Sequence, residues 1–306
     1  MPRAAKTTKE RVNIFDNAVL MTLRFSGIGN RATMDSNKVD TDADKDMLNV
    51  SKRLLDSPEY REIKNHRRGW NRRLGRIAIH SETSGTATFV LPLGLVTMIE
   101  ELTQANLKRD ADLVDEFCSV YPQRVQEAKN RLKHEFDPKE YPPVAVVRRA
   151  FSVRTSYLTL GTPESLKSID NAIYQRERKK FYDAIEEEAQ AVRVALREEM
   201  LGFVRWMVER LAEGDDGKGK AFGKPFESRL SRFAEYLDLF KHRNLTGDTD
   251  LEPLVNKAKS LLQGVNGETV KGDDFRKRLR DAFSPLKLML DTMVETKASR
   301  RIVLED

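Results

Sequence analysis

The stretch Glu164 to Glu213, ESLKSIDNAIYQRERKKFYDAIEEEAQAVRVALREEMLGFVRWMVERLAE, decides the class of fold. Leu166, Ile169 and Ile173, then Ile185, Val192, Leu196, Met200, Phe203, Met207 and Leu211, recur at three- and four-residue steps, and no proline interrupts them. That period belongs to a helix. A single helix of roughly 50 residues would run about 75 Å at 1.5 Å per residue. A compact globule of this chain length has a radius of gyration near 19 Å, hence a diameter of about 50 Å. The helix therefore projects from the body, giving an elongated molecule, or breaks, with Gly202 the natural place.

Working outward, the segment Gly214 to Lys224 carries four glycines and three lysines and reads as a flexible linker open to trypsin. Beyond it the pattern predicts helices over about Pro225 to His242, Leu251 to Leu262 and Asp273 to Glu295, the last tolerating Pro285 as a kink, and then a mobile tail from Lys297 to Asp306. The first half is mixed. Period-two patterning predicts strands over about Asp16 to Ser26 and Phe151 to Leu160, and the β-branched, apolar run Thr86 to Leu91 predicts another. Met47, Val50 and Leu54 suggest a short helix. Ser57-Pro58 is an N-cap followed by a first-turn proline, and it opens a helix to about Ile79. A third helix is predicted from Gly94 to about Val120, with a break near Asp110, and Pro122 marks a kink or restart before a helix to about Glu135. The fold class is α+β, predominantly helical, with a small sheet in the first half and a long helix and helical hairpins in the second. The organisation is a basic part over 1–160, the long helix over 161–213, the linker over 214–224 and a helical part over 225–306.

Charge follows the same division. The 306 residues carry a formal charge of +6, with 27 basic against 21 acidic side chains up to residue 160 and equal numbers after it. One cysteine, Cys118, excludes a disulfide framework and a multi-thiolate metal site, and fits a reducing cytosol. Four scattered histidines argue against a histidine-based metalloenzyme. No run of eighteen apolar residues occurs, and the start lacks the apolar centre of a signal peptide, so a cytoplasmic protein without a membrane span is expected.

The segments FCSVYPQRVQEAKNRLKHEFDPKEYPPVAVVRRAF, from Phe117 to Phe151, and HRNLTGDTDLEPLVNKAKSLLQ, from His242 to Gln263, resemble an uncharacterised family of mostly helical proteins from bacteriophages and prophages. The motifs that carry the resemblance are turns and helix starts: Tyr121-Pro122, Phe136-Asp137-Pro138, Tyr141-Pro142 and the run Asn244 to Asp248. The resemblance implies a phage-type origin, and with it a bacterial host cytoplasm. It carries over no catalytic residue.

Chemistry is scarce. The ladder Asp40, Asp42, Asp44 and Asp46 would need glycine and glutamate where Lys45 and Ser51 stand to make a calcium loop, so it reads as helix capping. The glycine-lysine linker lacks the spacing of a phosphate loop, and Pro225 follows Lys224 where a hydroxyl is needed. Cys118 and His134 fall in neighbouring helical segments, and a nucleophilic pair needs only proximity in space, yet Cys118 beside Phe117 reads as a core residue. Runs such as Glu186-Glu187-Glu188 read as solvated faces. No cofactor or metal is implied.

The anomaly is REIKNHRRGWNRRLGRIAIH, Arg61 to His80. Tyr60, Ile63, Trp70, Leu74 and Ile77 form an apolar stripe, and Arg61, Lys64, Arg68, Arg72 and Arg76 form a second at the same steps. Seven basic side chains face one acid, Glu62, over sixteen positions. Guanidinium groups in a row match phosphates, and the counterions they displace give affinity without base reading. Four or five contacts imply a slope of log affinity against log salt of roughly −3.6 to −4.5 on duplex DNA. A second basic and aromatic segment, Arg148, Arg149, Phe151, Arg154 and Tyr157, offers stacking platforms or a packed sheet face. The leading expectation is a non-enzymatic accessory protein binding nucleic acid. The alternatives are arginines paired with internal acids, a membrane surface, and an adaptor whose long helix docks a partner such as an ATPase or another copy of the chain.

Overall fold

The structure is a computed structural model that describes residues 13–35, 40–81, 83–85, 87–161, 164–213 and 222–298. It is α+β and predominantly helical. In chain order the elements are β1 (Ala18–Ser26), β2 (Arg31–Thr33), β3 (Ser51–Arg53), α1 (Pro58–Ile77), β4 (Ile79–His80), β5 (Thr88–Pro92), α2 (Val96–Leu132), α3 (Val144–Ala150), β6 (Ser152–Leu158), α4 (Ser165–Ile169), α5 (Asn171–Glu213), α6 (Lys224–Arg243), α7 (Glu252–Leu261) and α8 (Asp273–Ala298). Four strands form a sheet in the order β4-β5-β1-β6, and β2 and β3 form a separate antiparallel ribbon. Leu20, Met21, Thr22 and Leu23 of β1 are all buried where simple alternation would expose every second one, so both faces of this strand are covered here. No helix among the described residues is long and apolar enough to cross a membrane.

The chain divides into two compact units, and it passes between them four times. One comprises residues 1–21, 75–96 and 157–306, and the other residues 22–74 and 97–156. The sequence-based boundary near residue 160 falls beside the last of these passages; the earlier three leave no mark in composition.

In the first unit α5 supplies the spine. Asp170 ends α4 and caps the next helix by accepting from the backbone N–H groups of Ala172 and Ile173, and α5 then runs 43 residues, about 65 Å, through Gly202 without a break. Its stripe of Val192, Leu196, Met200, Val204, Met207 and Leu211 is buried with Phe226, Phe233, Phe240 and Leu254 of the following helices and Phe283 and Leu290 of α8. Each such side chain is worth about 1.5–3 kcal/mol on burial, enough to override the glycine. Pro285 is likewise carried inside α8, with Phe283, Leu286 and Leu290 buried around it. The expected linker and tail lie outside the described residues at 214–221 and 299–306; Phe222 is already buried and Lys224 already helical.

In the second unit two expectations give way. Asp110 does not break α2, which continues for 37 residues and also takes in Pro122, because Leu113, Phe117, Cys118 and Tyr121 lock it into a core with Tyr60, Ile63 and Val147. The residues from Lys45 to Leu54 make a short 3-10 turn and then β3 rather than a helix. Asp44 caps that turn through the backbone N–H of Asp46, and Ser51 to Arg53 pair with Thr33 to Arg31, a strand too short and polar to show by alternation.

Candidate functional site

The second unit holds an open groove of about 810 Å³ between α1, the β1–β2 loop and the residues that lead from β3 into α1. Its charge is one-sided. Arg31, Arg53, Arg61, Lys64, Arg67 and Arg68 line it against a single acid, Asp56.

The site begins with the cap of α1. Ser57 Oγ accepts from the backbone N–H of Tyr60 at 3.1 Å and donates to Glu59 at 2.7 Å, which fixes the helix start. Arg124 of α2 then bonds both oxygens of Glu59 and holds its carboxyl down to about 2. Along α1 the apolar stripe has a gap of one position between Ile63 and Trp70, and Arg67 fills it. Arg67 is buried, so its charge needs a full set of partners. Nε and Nη2 donate to the two oxygens of Asp110 at 2.7 and 2.8 Å, Nη1 donates to the Ser26 carbonyl at 2.5 Å, and the guanidinium stands 5.3 Å from the ring centres of both Phe25 and Phe151. Arg67 was not a candidate on sequence grounds. The signal for it is its place on the apolar stripe, together with Asp110 in the middle of an otherwise helical pattern.

This buried pair sets the wall of the groove. The loop Ser26 to Asn30 is fixed at alternate carbonyls: Arg67 holds Ser26, the Tyr60 hydroxyl donates to Ile28 at 2.8 Å, and the Leu54 N–H donates to Asn30 at 3.1 Å. The Asn30 side chain adds a two-way bridge to the backbone of Leu55, donating at 2.9 Å and accepting at 2.7 Å. Gly27 is required by space, because a Cβ there would stand 2.9 Å from the Phe151 ring.

The residues singled out from sequence are distributed as follows. Arg61, Lys64 and Arg68 are exposed and line the groove. Arg61 bonds Asp56 at 3.0 Å, Lys64 lies over the Tyr60 ring at 5.3 Å, and Arg68 reaches only the Asn65 amide at 3.4 Å. Arg72 is exposed one turn further on and does not line it. Arg76 belongs to the other unit and faces Glu235 at 3.7 Å. Arg148 pairs with Asp115, Arg149 turns back to the Ala145 carbonyl at 3.2 Å, and Arg154 is exposed on β6. Among the described residues no carboxylate pairs with Arg31, Lys64, Arg68 or Arg72. The Phe151 ring is no free stacking platform, since it packs against Tyr60 and Phe117 at 6.4 and 5.8 Å.

Asp56 is chelated. It accepts from Arg61 at 3.0 Å and from Arg131 of α2 at 2.8 Å, with Arg53 at 3.7 Å, and the Arg131 hydrogen bond with the charges of all three arginines holds its carboxyl below the ordinary value. A smaller groove of about 420 Å³ continues from this point and shares Arg53 and Asp56 with the first.

The other candidates resolve as structure. Cys118 is buried, and burial pushes its thiol up, while the His134 side chain is 87% exposed in a turn, so no nucleophilic pair forms. Glu188 is no solvated acid: it is buried in the first unit and accepts from Ser81 Oγ, Thr83 N and Thr83 Oγ1 at 3.1, 3.0 and 2.5 Å, which fastens the β4–β5 loop to α5. Asp137 caps a turn through the Lys139 N–H, and Asp248 caps α7 through the Leu251 N–H. Among the described residues no group of three or more histidines, cysteines or acids is placed to hold a metal ion.

The chain matches no protein-family model, no curated protein and no solved structure.

Proposed function

We propose that this chain is a phage-type accessory protein that binds nucleic acid through the basic groove of its second unit, without strong sequence preference. The observation that carries the reading is the imbalance around the groove: with Arg67 set aside as the partner of Asp110, five cations line it against one acid, and Arg31, Lys64 and Arg68 have no carboxylate partner among the described residues. A surface that hydrates unpaired guanidinium and ammonium groups side by side repels itself, and a polyanion relieves that repulsion while releasing its own counterions. The loop and α1 are fixed by buried bonds, so the cations are presented from a rigid wall and little ordering is lost on binding. Side chains that meet phosphates position a strand without reading it.

The alternative, an adaptor docking by its long helix, draws on less surface: from Ile185 to Leu211 the apolar stripe of α5 is buried within its own unit, and exposure is left at Tyr182 and, on α4, at Ile169.

The test is fluorescence anisotropy on a labelled mixed-sequence DNA duplex across a salt series, with wild type and the Lys64→Ala/Arg68→Ala double variant. Two lost contacts should flatten the slope of log affinity against log salt by about 1.8. An unchanged slope with unchanged affinity would refute the groove as the binding surface.

A further inference from the structure

The three arginines gathered on Asp56 are a second feature of this surface, distinct from the unpaired cations of the larger groove. Arg53 comes from β3, Arg61 from the first turns of α1 and Arg131 from the end of α2, and their side chains are 61%, 59% and 67% exposed. Exposed ion pairs contribute little to stability, so three guanidinium groups converging on one carboxylate are not needed to hold these elements together; the caps, the Tyr141 hydroxyl on the Leu54 carbonyl and the Glu59–Arg124 pair already do that. What the cluster provides is a surface position where an anion with two acceptor oxygens is bonded by Arg61 and Arg131, with Arg53 adding its charge at 3.7 Å, three positive charges against one negative. Its location matters as much as its charge. Arg53 and Asp56 line both grooves, and Arg131, bonded to Asp56, lines only the smaller one, so the cluster stands where the larger groove passes into the smaller.

We propose that this cluster is a phosphate subsite through which the nucleic-acid backbone crosses from the larger groove into the smaller, and that Asp56 is a built-in competitor occupying the phosphate position in the free protein. A phosphodiester offers the two non-bridging oxygens that the Asp56 carboxylate offers now, and guanidinium groups take either in the same planar, paired manner. The footprint on nucleic acid then extends to Arg131 of α2, outside the larger groove. Asp56 sets the affinity low enough for release, and its removal tightens binding. This inference rests on the nucleic-acid reading of the larger groove.

The experiment uses the full chain with Asp56→Asn and Arg131→Ala, on the same labelled duplex and salt series, alongside the Lys64→Ala/Arg68→Ala variant. One added phosphate contact at a slope of about −0.9 is worth about eightfold in affinity at 0.1 M salt. Arg131→Ala should therefore lose the contact that wild type makes, binding roughly eightfold more weakly with a slope shallower by about 0.9, and Asp56→Asn should bind more tightly than wild type because the competitor is gone. Thermal melts of both variants establish that they are folded, and the exposed Arg131 keeps the test open if the Asn variant is destabilised. If the Lys64/Arg68 variant loses affinity while both cluster variants keep wild-type affinity and slope, the larger groove stands and the subsite is overturned. If wild type fails to bind at low salt, the subsite falls together with the reading beneath it.

Discussion

Both units match their buried arginines, and what sets them apart is the groove of the second, where exposed cations gather. In the first, the conspicuous arginines are matched: Arg197 lies on Asp248 at 2.6 Å, Arg243 on Glu199 at 2.8 Å, Arg205 on Asp291 at 2.5 Å, and Arg76 faces Glu235. Burial alone would raise the Asp248 carboxyl, and the bonds and charge of Arg197 outweigh it, leaving it below the ordinary value. In the second unit Arg67 is matched and buried, while its neighbour Arg68 lines the groove with no carboxylate partner among the described residues. The difference teaches that the cations of this groove are more than a general solubility charge. Arg31, Lys64 and Arg68 line one groove, and a buried ion pair one residue from Arg68 holds its wall in place.

Breaking the buried pair should have the largest effect. Arg67→Ala leaves Asp110 charged and buried, costing about 3–5 kcal/mol. Denaturant unfolding should show that loss, and nucleic-acid binding should fail with it because the loop Ser26 to Asn30 loses its anchor. Arg67→Ala with wild-type stability would mean that Asp110 is solvated and the wall is not built as described.

The matched unit offers the counterpart. Asp248→Ala removes the partner of Arg197 and the cap of α7, at a cost of about 2–3 kcal/mol, since Arg197 keeps some solvent. Its melting temperature should fall while the salt slope of DNA binding stays at the wild-type value. A changed slope would put part of the binding surface on the first unit and dissolve the contrast.

A smaller effect separates structural from functional acids within the second unit. Because Glu59 is held near 2 against an ordinary 4.5, its pair with Arg124 contributes stability that is complete above about pH 4.5 and is lost as pH falls toward 2. Thermal melts should therefore show a wild-type decline through that window that is reduced in Glu59→Gln, a variant already less stable at neutral pH. Parallel curves for the two proteins would show that the pair contributes nothing.

Much of this was legible beforehand. The 3.6-residue stripe of α5, the Ser57-Pro58 start of α1 and the β-branched run of β5 carry strong local signals, and the elements stand within a few residues of where the pattern puts them. What was missed is non-local. The continuity of α2 through Asp110 and Pro122 is decided by packing of Phe117 and Tyr121 and by the bond from Arg67, none of which leaves a local trace. The basic stripe was legible as a helix face, but its division was not: position alone does not tell that Arg76 meets Glu235 while Lys64 and Arg68 meet no acid among the described residues. The strand β3 and its arginine were hidden because three polar residues show no alternation.

The most direct test of the central claim, that the groove carries unmatched positive charge for a polyanion, is the salt dependence of wild-type binding to duplex DNA. With Arg61 and Arg76 engaged, the sequence-based count contracts to Arg31, Lys64 and Arg68, with Arg72 beside them. Three or four contacts there give a slope of log affinity against log salt between roughly −2.7 and −3.6, and one more at the Asp56 cluster extends the range to about −4.5. A slope in that range is the expected result; a slope near zero, or no binding at the lowest salt, would contradict it.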